Sequence, residues 1–218
     1  GELFFVKQAV ISDDLIDLPD DNSAKVLNHI KEFRQLKESF DKMGYIYKRG
    51  IMLYGPQGGG KTATVIKTIR NFVSDGGIAI LGNNPKIDSK GLQTLRDFEK
   101  SRPVVLIYED IDDTVYYYGD RTLTALLDGE NNVDNVLYLA TTNYPERLPP
   151  RLVNRPSRFD IVQFIGLPSE EARKAYLFAK TDLSIGELNV WAQKTEGLSI
   201  PHLKELIILV KIYNKSVD

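Results

Sequence analysis

The sequence predicts an α/β protein in which a parallel sheet is flanked by helices and followed by a small helical lid. First, apolar runs of strand length alternate with helix-like stretches, at residues 51–54, 78–81, 104–108, 136–140 and 161–165. Near-continuous apolar runs are typical of parallel strands that are buried on both faces. Second, no strand pattern remains after residue 166, and helical segments are predicted near residues 170–180, 186–194 and 201–214. The predicted units are an α/β subdomain over residues 1–166 and a helical lid over residues 167–218.

One long helix is predicted before the first strand. Asn22 or Ser23 can cap its amino end, and apolar residues recur at helical spacing over residues 26–43. The first strand then leads into a glycine-rich segment, and a second helix with apolar residues between positions 65 and 73 follows it. The glycine-rich segment therefore lies in a strand–loop–helix unit.

The composition excludes several classes of protein. The absence of cysteine excludes disulfides and thiolate metal sites. The two histidines lie far apart in the sequence, so we expect no histidine-based metal site. The formal net charge of −2 gives no global basic field that would favour nucleic acid. No apolar run approaches the ~20 residues that span a bilayer, and the start lacks a signal-peptide pattern, so we expect no membrane segment and a cytoplasmic location.

A complete phosphate-loop pattern, G-x-x-x-x-G-K-[ST], lies between the first strand and the second helix. The glycines let successive backbone N–H groups face an anion, and the helix N-terminus adds partial positive charge. Lys61 would reach the β- and γ-phosphates of ATP, and the Thr62 hydroxyl is a hard oxygen ligand suited to Mg²⁺. The sequence therefore predicts a P-loop NTPase with ATP and Mg²⁺ as cofactors. The predicted nucleotide-binding residues are Gly55, Pro56, Gln57, Gly58, Gly59, Gly60, Lys61, Thr62 and Ala63.

A pair of acids follows the third strand, at Glu109 and Asp110. An apolar strand that ends in adjacent acids places one carboxylate near Mg²⁺ and the other near the attacking water. By position, Glu109 would assist Thr62 at the metal and Asp110 would polarise the water. The usual order of such a pair is Asp-Glu, so which of the two polarises the water stays open. The alternative is a structural role, in which a carboxylate caps the next helix.

Residues 44–56 resemble the start of the nucleotide site in AAA proteins, a group within the AAA+ class. The resemblance is greatest to the clade of the mitochondrial Rieske-protein translocase, which also tends to carry Glu-Asp in the acidic motif. Further segments resemble the family's motifs in the family's order. They are residues 121–129 after the acidic pair, 141–143 (Thr-Thr-Asn, sensor 1), 155–160 (Arg-Pro-Ser-Arg-Phe-Asp, the arginine-finger segment), 167–173 at the lid junction and 195–203 in the lid.

The resemblance implies a five-stranded parallel sheet in which the sensor-1 strand lies between the phosphate-loop strand and the acidic-motif strand. It also implies ATP hydrolysis and a ring, usually of six subunits. Asn143 would bind the attacking water or the γ-phosphate, although Asn is also common in turns. Arg155 and Arg158 would act as arginine fingers on a neighbouring subunit's nucleotide, the alternative being surface salt bridges with Asp160 or Glu146.

The leading interpretation is an ATPase motor domain that assembles into a ring and remodels or translocates a macromolecular client, with a protein client favoured. The alternatives are a nucleic-acid motor or loader, a small P-loop kinase, and a slow nucleotide-gated assembly module. Residues 82–95 should hold the first pore loop, but they lack the aromatic–hydrophobic–glycine pattern of peptide-threading motors.

Overall fold

A computed structural model describes residues 6–7, 15–19, 22–128, 133–153 and 157–215. Its centre is a sheet of five parallel strands in the order β2-β3-β4-β1-β5. The strands are β1 (Lys48–Tyr54), β2 (Ile78–Leu81), β3 (Val104–Tyr108), β4 (Val136–Thr142) and β5 (Ile161–Phe164). The predicted fold class is confirmed, and β4 lies between β1 and β3 as the family resemblance implies.

Ten α-helices surround or follow the sheet in the part of the chain that the structure describes. They are α1 (Asn22–Arg34), α2 (Lys37–Met43), α3 (Lys61–Ser74), α4 (Pro85–Phe98), α5 (Ile111–Tyr118), α6 (Asp120–Asp128), α7 (Pro150–Val153), α8 (Glu170–Lys180), α9 (Ile185–Lys194) and α10 (Ile200–Ile207). A 3₁₀ turn (Pro145–Arg147) precedes α7, and a π-helical turn (Ile208–Ile212) continues α10.

The core has two layers because alternate strand residues point to opposite faces of the sheet. On one face, Leu106 and Tyr138 pack with side chains of α4, α5 and α6. On the other face, Val105 and Leu137 pack with side chains of α1 and α3. Burial on both faces explains why the central strands read as continuous apolar runs.

The prediction of one helix over residues 22–43 is wrong, because the chain breaks between α1 and α2. The amides of Gln35 and Leu36 form short-range hydrogen bonds to Glu32 and Phe33 that end α1. The break lets aromatic rings from both helices meet Tyr47, with Phe33 stacked at 4.3 Å between ring centroids and Phe40 edge-on at 5.2 Å. Aromatic packing therefore overrides the helical spacing of the sequence.

Two strands and one loop also differ from the sequence prediction. β1 begins at Lys48 rather than at residue 51, and β4 continues to Thr142 rather than ending at residue 140. The stretch expected to be a pore loop is mostly helix, since α4 begins at Pro85 and the Asn84 side chain caps it by accepting the N–H groups of Lys86 and Ile87. Only the short connection at 82–84 joins β2 to α4.

The helices after β5 pack on one another, with α8 against both α9 and α10. The buried Arg173 guanidinium fixes this group, since it donates to the carbonyls of Pro168 and Ala192 at 2.9 Å each. Within the described ranges, no helix has the length and apolarity needed to cross a membrane.

Candidate nucleotide-binding site

Three neighbouring strands deliver the predicted site residues to one edge of the sheet. The phosphate loop follows β1, Glu109 and Asp110 follow β3, and Asn143 follows β4. Because the strands are parallel and adjacent in the order β3-β4-β1, their carboxyl ends meet at this edge. The fold therefore brings together predicted residues that lie up to about ninety positions apart in the sequence.

The Lys61 side chain is folded back into the phosphate loop. Its Nζ donates to the carbonyls of Gly55 at 2.8 Å and Pro56 at 2.9 Å, and to Asn143 Oδ1 at 2.6 Å. Burial lowers the pKa of Lys61, and the nearby Asp110 carboxylate partly opposes that shift. These three oxygens accept the three ammonium protons and so hold the positive charge of Lys61 beside the phosphate loop. A phosphate oxygen can replace any of the three as acceptor.

The residues predicted to hold Mg²⁺ lie beside each other. The Thr62 hydroxyl donates to Glu109 Oε2 at 3.2 Å, and both side chains are exposed at the edge of the site. A hydroxyl and a carboxylate in contact are hard oxygen donors of the kind that Mg²⁺ takes when it binds through one or two protein ligands plus phosphates. The donor set therefore fits the ion, which when bound neutralises charge on the phosphates.

Asp110 contacts Asn143 rather than Thr62. Asn143 Nδ2 donates to Asp110 Oδ1 at 3.2 Å, and the Asp110 amide donates to Thr141 Oγ1 at 3.0 Å. Asp110 has a positive φ of 48° and stands at the N-cap position of α5, but its side chain makes no capping hydrogen bond there. Burial raises the pKa of the Asp110 carboxyl, with further contributions from Asp112 and Asp113. The acidic-cap alternative therefore lacks its defining bond.

A cavity of about 470 Å³ adjoins the phosphate loop. One end is polar and contains Lys61, Thr62, Asp110 and Asn143. The other end is formed mainly by apolar side chains from the amino-terminal segment, the end of β5 and the C-terminal helices. These residues are Leu15, Ile16, Leu18, Pro19, Ile165, Leu167, Pro168, Ala172, Tyr176, Ile200 and Pro201. Its volume and its two ends suit a ligand with a polyanionic tail and a flat apolar head.

Of the two predicted arginine fingers, Arg158 lies away from this edge of the sheet. Arg155 is outside the described residues. Arg158 lies near the amino end of β1, beside Gly50. The two backbones are so close that a Cβ added to Gly50 would stand 1.6 Å from the Arg158 carbonyl oxygen. Its guanidinium is buried and donates to both Asp128 carboxylate oxygens at 2.7 Å and to the Arg151 carbonyl.

The salt-bridge alternative for Arg158 named the wrong carboxylates, because its partner is Asp128 rather than Asp160 or Glu146. Asp160 instead lies 3.8 Å from Arg49 and accepts the Ser157 amide at 2.8 Å. The spacing in the sequence did not indicate this pairing, since Asp128 ends α6 and Arg158 lies thirty positions later, shortly before β5.

Comparison with known proteins decides the family. Residues 51–167 match the model of the family described as "ATPase family associated with various cellular activities (AAA)". The chain belongs to the AAA family of ATPases. As an AAA ATPase it binds ATP with Mg²⁺ and hydrolyses the nucleotide.

Several curated proteins are similar to this AAA chain over most of its length. The ATPase family gene 2 protein of Schizosaccharomyces pombe is 34% identical over 180 residues, which cover 74% of this chain and 22% of that protein. The ATP-dependent zinc metalloprotease FtsH 2 of Thermoanaerobacter sp. is 31% identical, with coverage of 87% and 42%. The proteasome-activating nucleotidase of Thermococcus kodakarensis is 30% identical, with coverage of 84% and 52%. The chain thus spans about half or less of the length of these relatives.

The AAA chain also has site residues that were not predicted from the sequence. Thr141 accepts the Asp110 amide, and Thr142 Oγ1 donates to Asp112 at 2.7 Å. Both threonines precede Asn143 in the Thr-Thr-Asn segment, and this motif is the sequence signal that could have identified them as site residues. Ile200 and Pro201 reach the cavity from α10, and only the folded chain brings them there.

Proposed function

We propose that this AAA chain is one subunit of a ring-shaped motor, usually of six subunits, in which each nucleotide site is completed by the neighbouring subunit. The proposed catalytic residues are Glu109, Asp110, Asn143, Arg155 and Arg158. The proposed division is an α/β subdomain over residues 1–166 and a lid over residues 167–218, with the nucleotide between them. The likeness to the Rieske-protein translocase clade and the cytoplasmic location stay predictions from the sequence.

One observation carries the ring proposal, namely the position of Arg158 relative to the phosphate loop of its own chain. Arg158 lies next to Gly50 near the amino end of β1, whereas Gly55 begins the phosphate loop after the carboxyl end of the same strand. A strand rises about 3.3 Å per residue, so the two places are ~16 Å apart along β1. An arginine side chain does not bridge that distance, so a finger role for Arg158 requires a second subunit.

The contacts in the site support a division of work between the two acids. Glu109 touches the Thr62 hydroxyl and would join it at Mg²⁺, whereas Asp110 is held by Asn143 and would orient the attacking water. Lys61 would exchange its present contact with Asn143 for the β- and γ-phosphates. This arrangement stabilises charge and positions reactants, which is what phosphoryl transfer demands of a protein.

We propose that the client is a macromolecule, with protein favoured over nucleic acid. The formal net charge of −2 argues against a strong general attraction to phosphate backbones. Tyr116 and Tyr117 are 82% and 74% exposed on α5, so neither side chain is part of the core of this chain. Exposed tyrosines offer amphipathic contact area for a protein surface or chain.

Mixing two inactive variants tests completion of the site in trans. Lys61→Ala removes the phosphate contact and keeps the finger, whereas Arg158→Ala removes the finger and keeps the phosphate loop. Each variant alone should turn over ATP poorly. Random mixing in equal amounts should restore intact sites at about a quarter of the subunit interfaces, and turnover should rise accordingly. Failure of the mixture to recover turnover, although both variants co-assemble, would refute the proposal.

The client is tested with the Asp110→Asn variant loaded with ATP. Arrested hydrolysis should hold ring and client together, and a bound protein should be released on exchange to ADP. Wild-type turnover should rise with protein concentration as rings form. Turnover per subunit that stays constant on dilution below the range of assembly would contradict a shared site.

A further inference from the structure

A hydrogen bond between buried Tyr108 and half-buried Asp88 joins β3, the strand that precedes the proposed catalytic acids, to α4 beside it. Tyr108 is the last residue of β3, directly before Glu109, and its side chain is 1% exposed. Its hydroxyl donates to Asp88 Oδ2 on α4 at 2.7 Å. The hydroxyl is the donor of this hydrogen bond, and the carboxylate oxygen is the acceptor.

The Asp88 Oδ2 atom that accepts from Tyr108 also binds the backbone of the connection between β2 and α4. The backbone amides of Asn83 and Asn84 donate to Asp88 Oδ2 at 3.1 and 3.0 Å. The Asp88 amide donates to the Asn84 carbonyl at 2.8 Å. Three donors thus converge on one carboxylate oxygen, and Tyr108 is the only one of these three that belongs to β3.

The same connection contacts β3 at two further points. The Gly82 amide donates to the Ile107 carbonyl at 2.8 Å. The Tyr108 ring lies against Gly82 so closely that a Cβ there would stand 2.8 Å from two ring carbons. These contacts fix the side of β3 that faces β2, whereas the bond from Asp110 to Thr141 fixes the side that faces β4.

We propose that Asp88 and Tyr108 are positioning residues for ATP hydrolysis, which hold the backbone of Glu109 and Asp110 in register with the phosphate loop. The proposal rests on the proposed roles of those two acids. Neither positioning residue touches the nucleotide cavity, and Tyr108 acts through the backbone that it shares with Glu109. Outer-shell partners of metal ligands typically change metal affinity or activity by about 10–100-fold when they are removed.

The test first compares four single variants by three measurements. Tyr108→Phe removes the hydroxyl and keeps the ring, and Asp88→Ala removes the acceptor. Asp88→Asn keeps an oxygen that can accept the same three donors, and Lys90→Ala alters an exposed side chain of α4 as a control. The measurements are kcat at saturating ATP and Mg²⁺, the Mg²⁺ concentration that gives half-maximal turnover, and the affinity for a fluorescent ATP analogue in EDTA.

We expect Tyr108→Phe and Asp88→Ala each to lower kcat by about tenfold or more and to raise the Mg²⁺ requirement, with metal-free nucleotide affinity unchanged. Asp88→Asn and Lys90→Ala should stay near wild type. The double variant Tyr108→Phe/Asp88→Ala should be no slower than the slower single variant, because both changes break one connection.

Two results would overturn the inference. In the first, Tyr108→Phe lowers only the melting temperature and leaves kcat and the Mg²⁺ requirement unchanged, which is what a purely structural bond would do. In the second, the effects of the two single changes multiply in the double variant. Failure of the proposed site roles would look different, because Glu109→Gln would then retain turnover whatever Tyr108→Phe does.

Discussion

Replacement of Arg158 by alanine distinguishes its structural role, the ion pair with Asp128, from its proposed role as an arginine finger on a neighbouring subunit's nucleotide. In the folded chain the guanidinium is 5% exposed and makes two charge-assisted bonds of 2.7 Å to Asp128, whose side chain is 43% exposed. A hydrogen bond to a charged group contributes about 1.5–3 kcal/mol to stability. Without Arg158 the Asp128 carboxylate can bind water instead, which offsets part of the loss of both bonds. We therefore expect Arg158→Ala to lower the free energy of unfolding by about 2 kcal/mol, or the melting temperature by about 4–8 °C.

The catalytic effect should be much larger than this loss of stability. An arginine finger contributes about 10³–10⁵ in turnover, while a loss of about 2 kcal/mol leaves a domain with 5–15 kcal/mol of stability folded. The assay is steady-state ATP turnover at a protein concentration that permits assembly, together with nucleotide affinity, which should not change. Asp128→Ala is the matched control, because it breaks the same ion pair and keeps the guanidinium. Equal loss of turnover in both variants, or normal turnover in Arg158→Ala, would refute the finger role.

Three further predictions concern the fold. Gly50→Ala should destabilise the chain severely because its Cβ would stand 1.6 Å from the Arg158 carbonyl oxygen, whereas Gly186→Ala meets nothing within 4 Å and should raise the melting temperature slightly. Arg96→Gln should cost about 2 kcal/mol in urea unfolding, since the guanidinium donates to four backbone carbonyls, and Arg96→Lys should not restore this loss. Burial raises the pKa of Asp88 in the folded chain, so its stabilising contribution is complete below about pH 4 and is lost as pH rises through the raised value. Wild type should therefore lose stability relative to Asp88→Asn between pH 4 and pH 7, and the opposite trend would contradict this sign.

The central strands of the sheet could be predicted from the sequence because they are apolar on both faces. The run of apolar residues is less clear at strand ends, where burial depends on neighbours that are distant in sequence. β1 starts at Lys48 and Arg49, two charged residues that pair with Val136 and Leu137 of β4. Polar ends of this kind carry no period that distinguishes them from loop, so the predicted strand began too late.

The candidate site was predictable where a motif places residues in one continuous segment. The phosphate-loop motif lies in one continuous segment between a strand and a helix, so roles for its lysine and threonine could be predicted from the sequence alone. The Tyr108–Asp88 bond joins positions twenty residues apart, and the Arg158–Asp128 pair joins positions thirty apart. Neither pairing follows a helical or strand period, because each depends on which helix packs against which strand.

The contacts of Lys61 indicate how phosphate binding would reach Asp110, the acid that we propose orients the attacking water. In the present arrangement Asn143 is shared, because its Oδ1 accepts from Lys61 and its Nδ2 donates to Asp110. If a γ-phosphate took up the Lys61 ammonium, Asn143 Oδ1 would lose this donor, and the amide could then turn toward the phosphate or a water. Asp110 would lose the same amide N–H bond in that step, so its carboxylate becomes available as an acceptor when the nucleotide arrives. Asn143 thus contacts both the phosphate-loop lysine and Asp110, so a change in one of these contacts would alter the other.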